Sequence, residues 1–470
     1  MAPRTHRPLA LTGTCLALAL LLCSCNLAPR QPAPAVPLSA GWKASAPADW
    51  VSTEAYQSWS SGQWWQLFGA DELNALMPRT DIGNQNLALA LANLAQAQAL
   101  LRQAQALLRP TLGAQLGVQR GSGSSDSASL GLTAAWAPDL WGKLNTAVQV
   151  QGANVQVSQA NLAAVRLTAE ASLAQAYLSL READAEAALL QEIITGYERA
   201  LAITENNYKA GIAARTDVLQ AQSTLESARS SLQALKSSRT TYENSVALLL
   251  GEPPAKFALT PKPWVSIVPV IPAQLPSQLL LRRPDIASAE RAVVAANANI
   301  GVARAAWFPS LNLSAGVGGA AANWANLASA PVMTWSLGAT LAQALFDGGT
   351  RNAAIDQMIA AHAAATATYR QTALTAFGQV ENQLTALDSL ARQIAHTRAA
   401  ALAAAGAEQR ILNSYRAGIS DYTAVVTAQA SALTARRSLM QLELSRQQAA
   451  ISLIQALGGG WQAPWPQESS

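Results

Sequence analysis

The chain has 470 residues, of which 50% are hydrophobic, 13% are charged and 6% are aromatic. Soluble domains carry about 25% charged residues, so this composition excludes a disordered or highly solvated chain. The formal net charge is only +4, and no run of Lys or Arg forms a basic stripe, so we expect no nucleic-acid partner.

The first 25 residues have the pattern of an export signal. Arg4 and Arg7 precede an apolar run over 9–22, which leads to Ser24 and Cys25. The end of this run resembles the lipobox of bacterial lipoproteins. This resemblance implies that residues 1–24 are a signal peptide and that Cys25 is acylated. Ordinary signal cleavage with an incidental Cys25 is the alternative.

The next segment, 25–60, is predicted to be an acylated N-terminus and extended tether because it is rich in proline and alanine. No apolar stretch after Cys25 is long enough for a membrane-spanning helix. Position 26 is Asn, and lipoproteins retained in the inner membrane often resemble Cys-Asp at this point. We therefore expect lipid anchoring in the outer membrane.

The rest of the chain carries an internal duplication. The segment 208–212 matches 415–419, and the register then holds without a gap over the following forty residues. We predict a first structural repeat at 61–260, a second at 261–462 and a C-terminal tail at 463–470.

Each repeat has the same order of elements. A short helix ends at a proline, two strands follow, and then a very long helix, a glycine turn and a helix of about 35 residues. The predicted short helices are 84–108 and 285–306, and the long ones are 144–208 and 352–415. A helix of about 64 residues reaches roughly 95 Å, so it needs a coiled-coil-like neighbour along its length.

The strands have period two, with one apolar face and one small polar face. They are predicted at 111–120, 129–136, 311–317 and 335–341, with a cell-surface hairpin loop at 121–126. These lengths are close to the 9–11 residues that span a bilayer. Four strands cannot close a barrel, and an open edge in lipid costs several kcal/mol for each unpaired group.

We therefore predict a barrel shared between subunits, in which three chains supply twelve strands around a water-filled lumen. The fold class is mainly α with a membrane β-barrel, continuous with a long α-helical tunnel. A soluble four-stranded sheet packed on helices is the alternative.

The residue types needed for catalysis are sparse. All three cysteines lie within the first 25 residues, so the body of the protein has no thiolate site. His362 and His396 have no partner at metal-ligand spacing. The glycines at 458–460 lack the Lys-Ser/Thr of a phosphate loop and indicate a helix stop. We expect no enzyme activity, no cofactor and no metal.

Several sequence blocks resemble the outer-membrane factors of tripartite efflux pumps, and more narrowly the lipoprotein (NodT-type) branch of the TolC-like family. The resemblance covers about 55–462. Its most specific block is Leu-Arg-Arg-Pro-Asp-Ile. The blocks lie at 64–68, 139–143, 281–286, 289–290, 295–301, 308–311 and 456–461. Family members usually have an unbroken helix near residue 80, so Pro78 and Gly83 are expected to shorten or kink it here.

This resemblance implies a homotrimer that spans the outer membrane and the periplasm. The channel is expected to be a passive conduit for small molecules such as drugs and toxic compounds. The resemblance further implies that an inner-membrane RND-type transporter delivers them through a periplasmic adaptor (membrane fusion) protein. A conduit for type I protein secretion is the alternative. A third class, an envelope lipoprotein without a pore, would show no conductance.

The two glycine turns are the candidate adaptor contact, because each forms a tight tip of small residues that a partner can approach closely. Each turn ends one helix with glycine, and Thr216 or Thr423 is expected to cap the next. The residues of the two turns are Ala210, Gly211, Ile212, Ala213, Ala417, Gly418, Ile419 and Ser420.

The resemblance also implies a gate, because family channels close at the periplasmic end through an acidic ring. The family aspartate resembles position 420, where this chain has Ser420 followed by Asp421. Asp421 is the candidate gate residue, and Arg215 and Arg416 are expected to screen its carboxylates in the trimer. The alternative is that Asp421 only begins the following helix, where a carboxylate is favoured.

Overall fold

The computed structural model describes residues 29, 41–43, 62–121, 124–269, 282–322, 324–329 and 332–465. The signal peptide and Cys25 lie outside these residues. Within the first repeat the helices are α1 (Asp71–Gly83), α2 (Gln85–Ala106), α3 (Lys143–Lys209) and α4 (Arg215–Leu249), with strands β1 (Thr111–Gly121) and β2 (Ser124–Trp136). Within the second repeat they are α5 (Pro284–Ala305), α6 (Trp324–Ser329), α7 (Thr350–Arg416) and α8 (Tyr422–Ala456), with strands β3 (Ser310–Ala321) and β4 (Val332–Ala342).

The three pairs of corresponding helices have equal lengths. Helices α3 and α7 have 67 residues each, α4 and α8 have 35 each, and α2 and α5 have 22 each. The long helices and those after them begin and end in the same 207-residue register as the sequence match. The predicted order of elements is therefore confirmed, while the repeat boundaries stay a prediction.

Three details differ from the sequence-based expectation. Ser124 pairs with Gly121, so β2 begins inside the segment that was predicted as a hairpin loop. Residues 122 and 123 lie outside the described part. The short helix α6 between β3 and β4 was not predicted. A six-residue helix has too few turns to give a clear periodic signal.

The helix before Gly83 runs through Pro78, so the expected interruption is not at the proline. The break comes at Asn84, whose side chain accepts hydrogen bonds from the N–H groups of Asn86 and Leu87 and so caps α2. Gly83 is required because the backbone of Leu250 passes close by: a Cβ on Gly83 would lie 1.9 Å from the Leu250 carbonyl oxygen.

The four strands form one antiparallel sheet in the order β1-β2-β3-β4. The register aligns Leu116 with Leu130, Leu132 with Val317, and Val317 with Trp335. These exposed apolar side chains therefore share one face. The other carries mainly Gly, Ser, Thr, Asn and Gln, and also Ala135, Ala320, Val332 and Ala342. The predicted two-faced pattern is confirmed.

The main hydrophobic core lies where α1, α3, α5, α7 and α8 meet, midway along the long helices. Trp64, Leu173 and Ile454 are fully buried there. Among the described helices, none combines the length and the apolar character that crossing a membrane requires.

Candidate functional site: the helical tips and the contact between hairpins

The α3–α4 and α7–α8 hairpins end in the same backbone turn. Gly211 has φ of 73° and Gly418 has φ of 75°, a left-handed conformation that disfavours other residues. The N–H of Gly211 donates to the Tyr208 carbonyl at 3.0 Å, and the next N–H donates to the Asn207 carbonyl at 2.8 Å. This pair of bonds is the Schellman motif, and α7 ends with the same pair.

The caps of the following helices are not the predicted ones. In α4 the Asp217 carboxylate accepts from the Ala214 N–H at 3.3 Å. In α8 the Asp421 Oδ1 accepts from the Ala424 N–H at 2.8 Å. The expectation that Thr216 and Thr423 act as caps is wrong, because each helix begins two residues earlier than that cap requires.

The tips are open to solvent. Ile212 is 78% exposed and Ile419 is 80% exposed, and a Cβ added at Gly211 or Gly418 would meet no atom within 4 Å. The candidate adaptor residues thus form two surfaces on which apolar side chains project beyond the end of each hairpin.

The two hairpins touch each other just above the tips, mainly through α3 and α8. Tyr422 is buried against Ala200 and Ala221, and its ring meets Tyr415 edge-on at 5.4 Å. Thr204 donates to the Ala200 carbonyl, so the Tyr415 hydroxyl is the donor in their 3.2 Å bond. Burial raises the pKa of Tyr422 to about 12, so this contact stays uncharged at physiological pH.

The three candidate gate residues are not brought together within one protomer. Among the described residues, no ion pair reaches Asp421, Arg215 or Arg416, although all three are exposed. Asp421 is instead the N-cap of α8.

Farther from the tips, α3 and α8 are joined by a buried carboxylate pair and an arginine. Glu186 Oε1 lies 2.5 Å from Arg437 Nε, and one Glu182 oxygen has no hydrogen-bond partner among the described residues. Burial raises the pKa of Glu182 to about 7, and the charge of Glu186 adds to the rise while Arg437 opposes it.

This raised pKa gives a testable pH dependence. The folded protein retains a proton on Glu182 between about pH 4.5 and 7, whereas the unfolded chain releases it, so stability falls as the pH rises through this window. We expect Glu182→Gln to flatten that part of the stability curve and to unfold at a higher temperature than wild type above pH 7. Thermal melts in detergent at several pH values measure this. The exposed Glu192→Gln is the control, and identical curves for wild type and Glu182→Gln would contradict the assignment.

Sequence reasoning missed a buried ionic cluster at mid-height of the long helices. Arg181 pairs with Glu72 and with Asp184, whose Oδ2 lies 2.6 Å away. Arg239 Nε lies 2.6 Å from the other Asp184 oxygen, and Lys262 Nζ lies 3.3 Å from Glu72. These partners are separated by up to 190 positions in sequence, so no local spacing signals them.

The model of the outer membrane efflux protein family matches this chain over residues 76–252 and 275–459. The pyoverdine export outer membrane protein OpmQ of Pseudomonas aeruginosa is 34% identical, and the match covers 97% of each chain. The cation efflux system protein CusC of Escherichia coli is 30% identical over 97% of this chain and 99% of its own. The solved structure of the outer-membrane channel OprN superposes with a TM-score of 0.82 at 28% identity, and it covers 93% of this chain and 100% of OprN.

Proposed function

The chain belongs to the outer membrane efflux protein family, and we propose that it is the outer-membrane channel of a tripartite efflux system. It acts as a passive conduit for small molecules, the class that includes the pyoverdine and cations named for its relatives. An RND-type transporter of the inner membrane delivers them through a periplasmic adaptor. The observation that carries this proposal is the sheet, which has one apolar face and one face of small, mainly polar residues. Such a sheet suits a barrel whose apolar face contacts lipid and whose polar face lines a water-filled lumen.

The same sheet supports a homotrimer. Strands β1 and β4 are its edges, and unpaired edge groups in lipid cost several kcal/mol each. Pairing β1 of one copy with β4 of the next removes every edge and gives twelve strands in three copies.

The helices support the same assembly. Helix α5 packs between α3 and α7, whereas α2, its counterpart, packs extensively only on α3. Leu89 on α2 is left 61% exposed and Leu100 is left 45% exposed. Helix α7 of a neighbouring copy takes the vacant place beside α2, which closes the helical tunnel.

Purified protein tests the channel and the trimer together. Native mass spectrometry in detergent is expected to give three copies, and planar bilayers are expected to show discrete conductance steps. A trimer without conductance would indicate an envelope lipoprotein without a pore. If deletion of the gene abolishes secretion of a polypeptide and leaves drug resistance unchanged, type I secretion replaces small-molecule efflux.

The position of Pro29 supports a lipid anchor at Cys25. The Pro29 carbonyl accepts a hydrogen bond from Asn297 on α5. From there the helix runs about 12 Å to its end at the base of the sheet. Four residues span at most about 14 Å, which is long enough to connect Pro29 with a lipid anchor at the membrane surface expected at that level.

We expect Cys25→Ser to impair maturation and sorting more than trimer formation, because the barrel itself holds the assembly in the membrane. Mass spectrometry of the mature N-terminus is expected to show an acylated Cys25 in wild type. An unmodified Cys25 at that N-terminus would contradict lipid anchoring. Heat-resistant trimers in the Ser variant provide the matched control for folding.

The gate at Asp421 stays a prediction, with its N-cap role as the alternative. If Asp421 holds the tip closed, Asp421→Ala raises the conductance of the closed channel and lowers its preference for cations. If it is only a cap, the variant loses about 0.5–2 kcal/mol of stability and conducts like wild type. Single-channel recordings separate the two, and Asp421→Asn, which keeps the capping oxygen, isolates the effect of the charge.

A further inference from the structure

The short helix α6 packs on the sheet at the end that lies farthest from the long helices. It follows β3 and precedes β4, and it contacts β2 and β3. Between the helix and the sheet is a cavity of about 180 Å³. Every described residue of its lining is apolar or glycine, and the lining includes Leu130, Leu132, Val317, Gly319, Leu327 and Met333.

The strand register decides which face of the sheet α6 covers. Gly319 pairs with Leu130 on one side and with Met333 on the other, and directly paired residues lie on the same face. This face is the apolar one. Ala128, the next residue of β2 on this face, is 1% exposed, whereas Leu112 near the long helices is 77% exposed. The apolar face is therefore buried at the far end and open farther down.

The cavity lies in the upper half of the apolar face. Strand β3 rises by ten residues from Leu311 to Ala321, which corresponds to roughly 26 Å of height for a strand tilted in a barrel. The lipid-facing band of such barrels is about 25 Å tall. Val317 and Gly319 lie in the half away from the long helices. This step rests on the proposed barrel, in which the long helices are periplasmic and this half contacts the outer leaflet.

Trp324 has the position expected of a residue at the membrane boundary. It is the first residue of α6, lies three residues beyond the end of β3 and is 52% exposed. Tryptophan rings favour the boundary between hydrocarbon and water. Leu327, three residues farther along the helix, faces the cavity. Helix α6 therefore combines a boundary residue with an apolar residue directed at the sheet.

We propose that α6 lies outside the barrel, in the outer leaflet, and holds an acyl chain of a membrane lipid against the sheet. An apolar cavity of about 150 Å³ can bind a molecule of the size of benzene, so this one accommodates a short stretch of a hydrocarbon chain. Leu130 is 52% exposed and Met333 is 65% exposed, so the cavity opens onto the rest of the apolar face. Lipid contacts that face in the proposed barrel, which makes an acyl chain the fitting occupant.

The same register keeps α6 away from the lumen. The lumen is lined by the opposite face of the sheet, which carries Ser129 and Gly131 at this level. A helix on the apolar face leaves the mouth of the channel uncovered by this segment.

Fluorescence quenching tests the position of α6. Leu327→Cys is labelled with bimane and reconstituted into vesicles of phosphatidylethanolamine and phosphatidylglycerol that contain a phosphatidylcholine with a nitroxide on its acyl chain. We expect the nitroxide lipid to quench this label severalfold more than iodide does. Leu116→Cys, exposed on the same face, is expected to behave alike, and Ser129→Cys, on the opposite face, is expected to show the reverse. Labelling of wild type gives the background from Cys25.

The control at Leu116 separates this inference from the proposed function. If the nitroxide lipid quenches the label at Leu116 and iodide quenches the one at Leu327, α6 lies in water and the inference is wrong, while the barrel stands. If iodide alone quenches both labels, the apolar face does not contact lipid, and the proposed barrel fails together with the lipid site.

Native mass spectrometry of detergent-purified trimers tests the acyl chain. Gly319→Leu adds a side chain to the lining, so its trimers are expected to retain fewer lipid molecules than wild type, by up to one for each cavity. Ala315→Leu, on the same face of β3 but outside the lining, is expected to keep the wild-type load. The mass of the lost molecules identifies their headgroups. Equal lipid loads in wild type and Gly319→Leu would overturn the acyl-chain site.

Discussion

Arg181→Met is expected to lower the free energy of unfolding by about 3 kcal/mol, because it removes the cation from a buried ionic cluster. The guanidinium is 3% exposed and pairs with Glu72 and Asp184. It also donates to the Thr260 carbonyl at 2.8 Å. Methionine keeps the aliphatic part of the side chain, so the loss reports the missing charge and hydrogen bonds rather than an emptied space.

The expected value is at the low end of the range of about 3–5 kcal/mol for a broken buried pair, because Asp184 keeps its bond to Arg239. Urea unfolding in detergent, followed by circular dichroism, measures the change. Arg229→Met is the matched control. Its ion pairs with Glu198 and Glu226 are about half exposed, so its loss is expected to be much smaller, because solvent screens exposed pairs. Equal losses in the two variants would show that the cluster at Arg181 adds no special stability.

The cluster also explains how the segment between the repeats is held. The N–H of Leu259 donates to Glu243 on α4, and the carbonyl of Thr260 accepts from Arg181 on α3. Farther along, the Trp264 ring nitrogen donates to Gln447 on α8 at 3.0 Å. The segment therefore ties both hairpins together at mid-height. The tips lie roughly 30 residues beyond this tie, where, among the described residues, each hairpin packs on the other.

The parts of the fold that sequence predicted well are those with strong periodicity. Long helices without proline and strands with alternating polarity each carry many residues of consistent signal. The 207-residue offset placed the turns at Gly211 and Gly418 in the same way.

The parts that sequence did not predict depend on single positions or on distant partners. Thr216 and Thr423 are not the caps because each helix begins two residues earlier, and the first residue of a helix decides which side chain faces the free N–H groups. The Arg181 cluster joins α1, α3, α4 and the segment after α4, and only the packed structure brings these together. The candidate gate shows the same limit, since Asp421 and Arg215 lie on different hairpins.

Gly418→Asp and Gly211→Asp are expected to abolish drug resistance while leaving trimers and membrane insertion intact. Either substitution places a carboxylate at a tip that is open to solvent, beside Ile419 or Ile212. The added side chain meets no atom within 4 Å. The folded state is therefore destabilised only by the left-handed backbone conformation, which costs about 1–2 kcal/mol. Aspartate adopts this conformation more readily than most residues. An adaptor that packs closely on the tip has to bury the new charge, which costs far more.

Asparagine at the same positions separates charge from shape, because it has the size of aspartate and adopts the left-handed conformation as readily. If the adaptor packs directly on the tip, Gly418→Asn retains far more resistance than Gly418→Asp, and adaptor co-purification falls only in the aspartate variant. Resistance assays in a strain lacking the native channel give the first measurement, and heat-resistant trimers in isolated outer membranes confirm folding. Wild-type resistance in both aspartate variants would remove the tips from the adaptor contact. Lost resistance without trimers would show that the substitution disrupts folding. The cause would then be the strained left-handed backbone and not the charge at the tip.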